Sequence, residues 1–76
     1  LYRFRATFQF KVRETVKRLI KEGVEKVDLA AIFKHGYFTN LTEIYGCLRI
    51  LKQLGIVDEE GKINVERAEE FIKGQT

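Results

Sequence analysis

The stretch from Thr39 to Val57, TNLTEIYGCLRILKQLGIV, decides how the rest of the chain is read. Leu41, Ile44, Cys47, Leu48, Leu51 and Leu54 recur every three or four residues. At about 100° per residue they share one face of a helix. Thr39 or Asn40 caps its start, and Asn40 with Glu43 has capping-box spacing, with Asn in place of Ser or Thr. Gly55 stands where helices commonly end in a left-handed residue. The opposite face carries Thr42, Tyr45, Gly46, Arg49 and Gln53. Inside a helix Gly46 costs about 1 kcal/mol against Ala, which on an exposed face points to close approach by another backbone.

Upstream, Asp28 caps a short helix from Leu29 to His35, with Leu29, Ile32 and Phe33 turned inward and Gly36 ending it. The turn Gly36-Tyr37-Phe38 joins it to the longer helix, and both aromatics are expected to close the core there. Before that, Phe8, Val12, Val16, Leu19 and Ile20 form one apolar stripe that stops at Gly23, and Val24 to Val27 is an extended link. Residues 1–10, LYRFRATFQF, fit two periods. Tyr2, Phe4, Ala6, Phe8 and Phe10 alternate with polar residues as in a strand, while Leu1, Phe4 and Phe8 sit at helical spacing. Either way, so many aromatics at a terminus call for a surface to bury them.

Downstream, Ile56-Val57, Asp58 to Gly61 and Lys62-Ile63 read as a tight hairpin with Gly61 left-handed. Asn64 caps a last helix with Val65, Ala68, Phe71 and Ile72 inward.

The chain has 76 residues, 45% apolar and 33% charged, which suits one small globular domain. A core this size sits near energetic balance, so an oligomer is expected. One Cys and one His exclude an internal disulfide and a four-ligand Cys/His metal site from this chain alone. No nucleophile–base pair, convergent carboxylates or phosphate-cradling glycine loop stands out, so neither an enzyme nor a cofactor is expected. Cys47 falls on the apolar face and reads as an inert buried thiol. No apolar run approaches ~18 residues, so no spanning helix is expected, and no signal-peptide pattern opens the chain. The default is a cytoplasmic protein. Residue 1 is Leu, which leaves room for residues before it. The absence of Met and Pro, with abundant Lys and Glu, leans towards a thermophile. Charge is uneven: residues 1–27 hold eight basic and three acidic side chains, whereas residues 55–76 hold three basic and six acidic. An anionic partner on the first two-thirds is expected from that asymmetry.

Helix, short helix, sharp turn, longer helix and small hairpin together resemble a winged helix-turn-helix. The likeness rests on residues 29–33 and 39–57 and spans roughly residues 8–73. IYGCLRILKQLGIV, residues 44–57, is most similar to PadR-like regulators, and size and composition also resemble small archaeal plasmid partition proteins. The resemblance implies one winged-helix domain over 1–76: a dimerisation arm at 1–10, the helix-turn-helix at 28–54, a short wing at 56–63 and a C-terminal helix at 64–73. It implies a homodimer on double-stranded DNA, acting in transcription regulation or DNA segregation at the nucleoid, with helix 39–54 in the major groove. Thr39, Asn40, Thr42, Tyr45, Gly46, Arg49 and Gln53 are the expected DNA-binding residues on that helix. Lys34 on the short helix and Lys62 in the wing join them as possible phosphate contacts. Tyr2, Phe4, Phe8, Phe71 and Ile72 are expected to build the dimer interface. The acidic tip Asp58-Glu59-Glu60 is expected to stay off phosphate. With the acidic C-terminal third, it also fits a protein-interaction module as the rival reading.

Overall fold

The computed structural model describes residues 2–74, with side chains from Thr7 onward. Among the described residues four helices follow one another: α1 (Tyr2–Lys21), α2 (Leu29–His35), α3 (Leu41–Gln53) and α4 (Val65–Gly74). α1 packs against α4 and α2, and α2 against α3. The core between them takes Val12, Val16 and Leu19 from α1, Ile32 from α2, Ile44, Cys47 and Leu51 from α3, and Ala68 from α4. Val27, Phe38, Ile56 and Val57 fill it from the connections.

The helix ends are where local chemistry predicts them. The Asp28 carboxylate accepts from Ala31 N at 2.8 Å, the Asn40 side chain from Glu43 N at 2.8 Å, and the Asn64 side chain from Arg67 N at 3.1 Å. α1 and α3 close in the same way. Gly23 and Gly55 have φ of 70° and 77°. Val24 N then donates to Leu19 O and Gly23 N to Ile20 O, while Ile56 N donates to Leu51 O and Gly55 N to Lys52 O. Both are Schellman motifs that satisfy otherwise orphaned carbonyls. Arg67 of α4 adds a donor from Nη1 to Leu54 O at 3.3 Å.

Residues 2–10 are helical throughout. A helix satisfies its backbone within itself, whereas a strand there would need a neighbour to pair with. No named strand exists among the described residues to provide one. That also overturns the winged helix-turn-helix with a β-hairpin: the fold is all-helical. Residues 56–63 hold a turn and only isolated antiparallel bridges, Val57 with Ile63 and Lys26 with Lys62. The reason is room. The segment is bounded by the Schellman end of α3 and the Asn64 cap of α4, and its middle is spent on the turn. There the Asp58 carboxylate accepts from Glu60 N and Lys62 N at 2.9 and 2.8 Å. Across the turn one residue pair remains, Val57 with Ile63, too few for a ladder.

Several side chains expected inside lie outside. Phe33 and Leu41 are 62% and 66% exposed, and Leu54 and Val65 are also exposed. A seven-residue helix has one inward stripe. Ile32 occupies it in α2, and Phe33, one step of about 100° further round, does not. The two turn aromatics split: Phe38 is buried and Tyr37 exposed.

Candidate nucleic-acid interface

α3 buries Ile44, Cys47 and Leu51. Residues on its other side, Leu41, Thr42, Tyr45, Arg49, Lys52 and Gln53, are all exposed. Thr42, Tyr45, Arg49 and Gln53 therefore stand on one outward face as expected. Lys52 joins them at the helix end. Its spacing of seven from Tyr45 was the signal that would have included it. Thr39 and Lys34 are exposed beside this helix, in the preceding turn and in α2. Lys62 is exposed too, but around a different recess, shared with Glu25, Lys26 and Glu60.

Electrostatically this surface is one-sided. From Leu29 to Val57 the sequence contains a single carboxylate, Glu43, against Lys34, Arg49 and Lys52. Glu43 is half-buried and already engaged. Its backbone N–H donates to the Asn40 side chain, Asn40 Nδ2 donates back to Glu43 Oε1 at 3.4 Å, and Lys11 Nζ of α1 lies 3.9 Å from the same oxygen. The capping box thus draws the one negative charge inward. It also occupies Asn40, whose amide holds the helix start and is not simply free to read a base.

Gly46 has a different explanation from the one expected. A Cβ built there meets Phe8 Cζ of α1 at 3.5 Å, so the close approach comes from within the chain. That distance is ordinary contact, and the helix geometry suits alanine. Gly46→Ala is expected to raise stability by about 0.5–1 kcal/mol through helix propensity. A thermal melt should move up by about 2–8 °C. A fall in melting temperature would show the Phe8 contact to be tighter than this.

The residues expected to pair two subunits are largely spent at home. Phe8 packs against Phe38 with ring centroids 5.7 Å apart and the ring planes tilted by 49°. Phe71 and Ile72 pack against the chain's own core. The side chains of Tyr2 and Phe4 lie outside the described residues. Among the described residues the large exposed aromatics are instead Phe10, Phe33, Tyr37 and Tyr45.

No family model, curated protein or solved structure matches this chain. Among the described residues no three His, Cys, Asp or Glu side chains converge to hold a metal. No described helix is long and apolar enough to cross a membrane. Cys47 is fully buried, and desolvation pushes its thiol up to about 12 from an ordinary 9.0. The thiol is protonated at neutral pH and is not a nucleophile in the folded protein.

Proposed function

We propose that this protein is a non-enzymatic, homodimeric binder of double-stranded DNA that lays the outward face of α3 in the major groove. The observation that carries the reading is the charge of that face. Arg49 and Lys52 point outward with Thr42, Tyr45 and Gln53, while the one carboxylate of residues 29–57 is held back by Asn40 and Lys11. A phosphate surface repels carboxylates and is matched by such an arrangement. α2 packs on α3 and adds Lys34. Two α3 helices related by a two-fold axis call for half-sites about one helical turn apart. In the cell this activity fits transcription regulation or centromere binding in DNA segregation, at the nucleoid.

Leu41 and Tyr45, exposed on the same face, favour a second reading as a protein-docking module. Salt separates the two. Three basic residues per subunit at phosphates, in a dimer, give a slope of log K against log salt of about −5, at ~0.9 per neutralised phosphate. Titration of a duplex of mixed sequence between about 50 and 200 mM salt, within the range where such slopes are read, measures it. Absence of binding at the low end overturns the DNA reading in favour of the protein one.

A further inference from the structure

One side of α1 carries a stripe that the rest of the fold leaves largely open. Thr7, Phe10, Glu14, Lys17 and Lys21 recur at three- and four-residue spacing and so share one face of the helix. Tyr37, in the turn between α2 and α3, stands beside that stripe. With Thr7, Phe10, Lys11 and Glu14 it lines an apolar groove of about 490 Å³. With Glu14, Lys17, Arg18, Lys21 and Glu22 it lines a second recess, predominantly basic. The two recesses share Glu14 and Tyr37, so they form one continuous surface. Its apolar end is open to water: Phe10 is 58% exposed and Tyr37 45%. Its basic end keeps free charge. Glu14 is taken by Lys17 at 3.3 Å and Arg13 at 3.6 Å, whereas among the described residues no ion pair holds Arg18 or Lys21. The Arg18 guanidinium instead lies over the Tyr37 ring, 5.9 Å from its centroid.

We infer that this surface docks an acidic peptide segment of a partner protein, with one bulky apolar side chain in the Phe10–Tyr37 groove and carboxylates on Arg18 and Lys21. The inference goes beyond the DNA reading and does not depend on it. Charge complementarity names the occupant, and two exposed aromatics beside free cations are what the centre of such an interface is made of. Spacing shapes it. Phe10 and Arg18 are eight residues apart on α1, about 12 Å at 1.5 Å per residue, which about four residues of extended peptide span. A nucleic-acid strand suits the surface less well. Its phosphates would repeat along the whole stripe and run past Glu14 and Glu22, whereas a peptide keeps its carboxylates at one end. One face of Tyr37 also lies under Arg18 and is not open for a base to stack on. The α1 stripe of a second copy is disfavoured too. Each α1 carries seven basic side chains and one acidic one, and like charges across an interface cost affinity.

Selection from a random library of peptides about 12 residues long, ample to span the stripe, on the immobilised full chain without DNA tests this. The enriched peptides are expected to pair a Phe, Leu or Trp with Asp or Glu a few residues to one side. Fluorescence anisotropy of the most enriched peptide should then give a Kd of about tens of micromolar or tighter, rising with salt. Phe10→Ser, and separately Arg18→Glu with Lys21→Glu, should each weaken it by about tenfold or more. Lys26→Glu, at a separate recess, should leave it unchanged. The same peptide with its acids changed to Lys should prefer the Arg18→Glu, Lys21→Glu variant to the wild type. Circular dichroism should show the helices intact in every variant. No enrichment, enrichment of basic or uncharged peptides, or affinity indifferent to Phe10 or to Arg18 and Lys21 would overturn the inference. So would a single-stranded oligonucleotide that binds more tightly than the best peptide and is lost with Phe10→Ser, which assigns the stripe to nucleic acid. A dimer in sedimentation that Phe10→Ser dissociates would assign it to a second copy. Loss of duplex binding in Arg49→Ala with the peptide still bound, or the reverse, tells failure of the DNA reading from failure of this one.

Discussion

Gly36→Ala is expected to destabilise the protein by about 2–3 kcal/mol, the upper part of the range for forcing atoms into a packed site. Its backbone is not the reason. Gly36 has φ of −98°, open to any residue. The reason is space. A Cβ at this position would collide with the carbonyl oxygen of Ile32 and stand 3.0 Å from Thr15 Oγ1. The Ile32 oxygen is fixed, because Gly36 N donates to it at 2.8 Å to finish α2. Thr15 is fully buried in α1 and has nowhere to retreat. α1 and the α2–α3 turn therefore touch through a residue without a side chain. For a domain this size, a loss of that order lowers the melting temperature by roughly 8–24 °C, at 4–8 °C per kcal/mol. Gly23 is the control for the opposite cause: it has φ of 70° and nothing within 4 Å of an added Cβ. Gly23→Ala should cost only the left-handed penalty of about 1–2 kcal/mol. Thermal and urea melts of both variants measure the difference, and equal losses would remove the packing argument.

The same comparison shows which parts of the fold were legible from residues alone. Caps are short-range chemistry, so Asp28, Asn40, Asn64, Gly23 and Gly55 announced the helix ends correctly. Element type at residues 2–10 was not legible, because Phe4 and Phe8 satisfy both periods; backbone pairing decides it, and that depends on whether a strand partner exists. The supposed wing failed for a reason of length, since a turn held by Asp58 leaves a single residue pair across it, Val57 with Ile63. At the candidate site, the outward set Thr42, Tyr45, Arg49 and Gln53 follows from phase and was legible. What was hidden depends on α1. Phe8 filling the space at Gly46, and Lys11 drawing in Glu43, are contacts between residues more than 30 apart in sequence. No pattern within residues 39–57 could announce them.

The Lys11–Glu43 contact separates what two substitutions, one on α3 and one at its cap, should do. Arg49 lies two turns into the helix, exposed and on the face of Tyr45. Under the DNA reading it meets phosphate, and a hydrogen bond to a charged group is worth about 1.5–3 kcal/mol. Arg49→Ala should therefore weaken binding to every duplex by roughly 10- to 150-fold. It should also lower the salt slope by about one unit per lost phosphate contact, without changing which sequences are preferred. Asn40→Ala acts by another route. It removes the cap at Glu43 N and the 3.4 Å bond to Glu43 Oε1. The cap alone is worth about 1 kcal/mol of stability. Glu43, then held only by Lys11, is the one carboxylate of residues 29–57 and becomes free to swing toward the nucleic acid. Asn40→Ala should thus weaken binding to all sequences as well, together with a lower melting temperature, and Glu43→Gln in the same chain should recover the affinity but not the cap. Were Asn40 a base reader instead, its loss would relax preference at one position, typically by about 1–3 kcal/mol, and Glu43→Gln would restore nothing. Binding-site selection followed by salt titration on the best site, for Arg49→Ala, Asn40→Ala and Asn40→Ala with Glu43→Gln, reads all three outcomes. Unchanged affinity, preference and slope for Arg49→Ala would show that α3 is not the element that meets DNA.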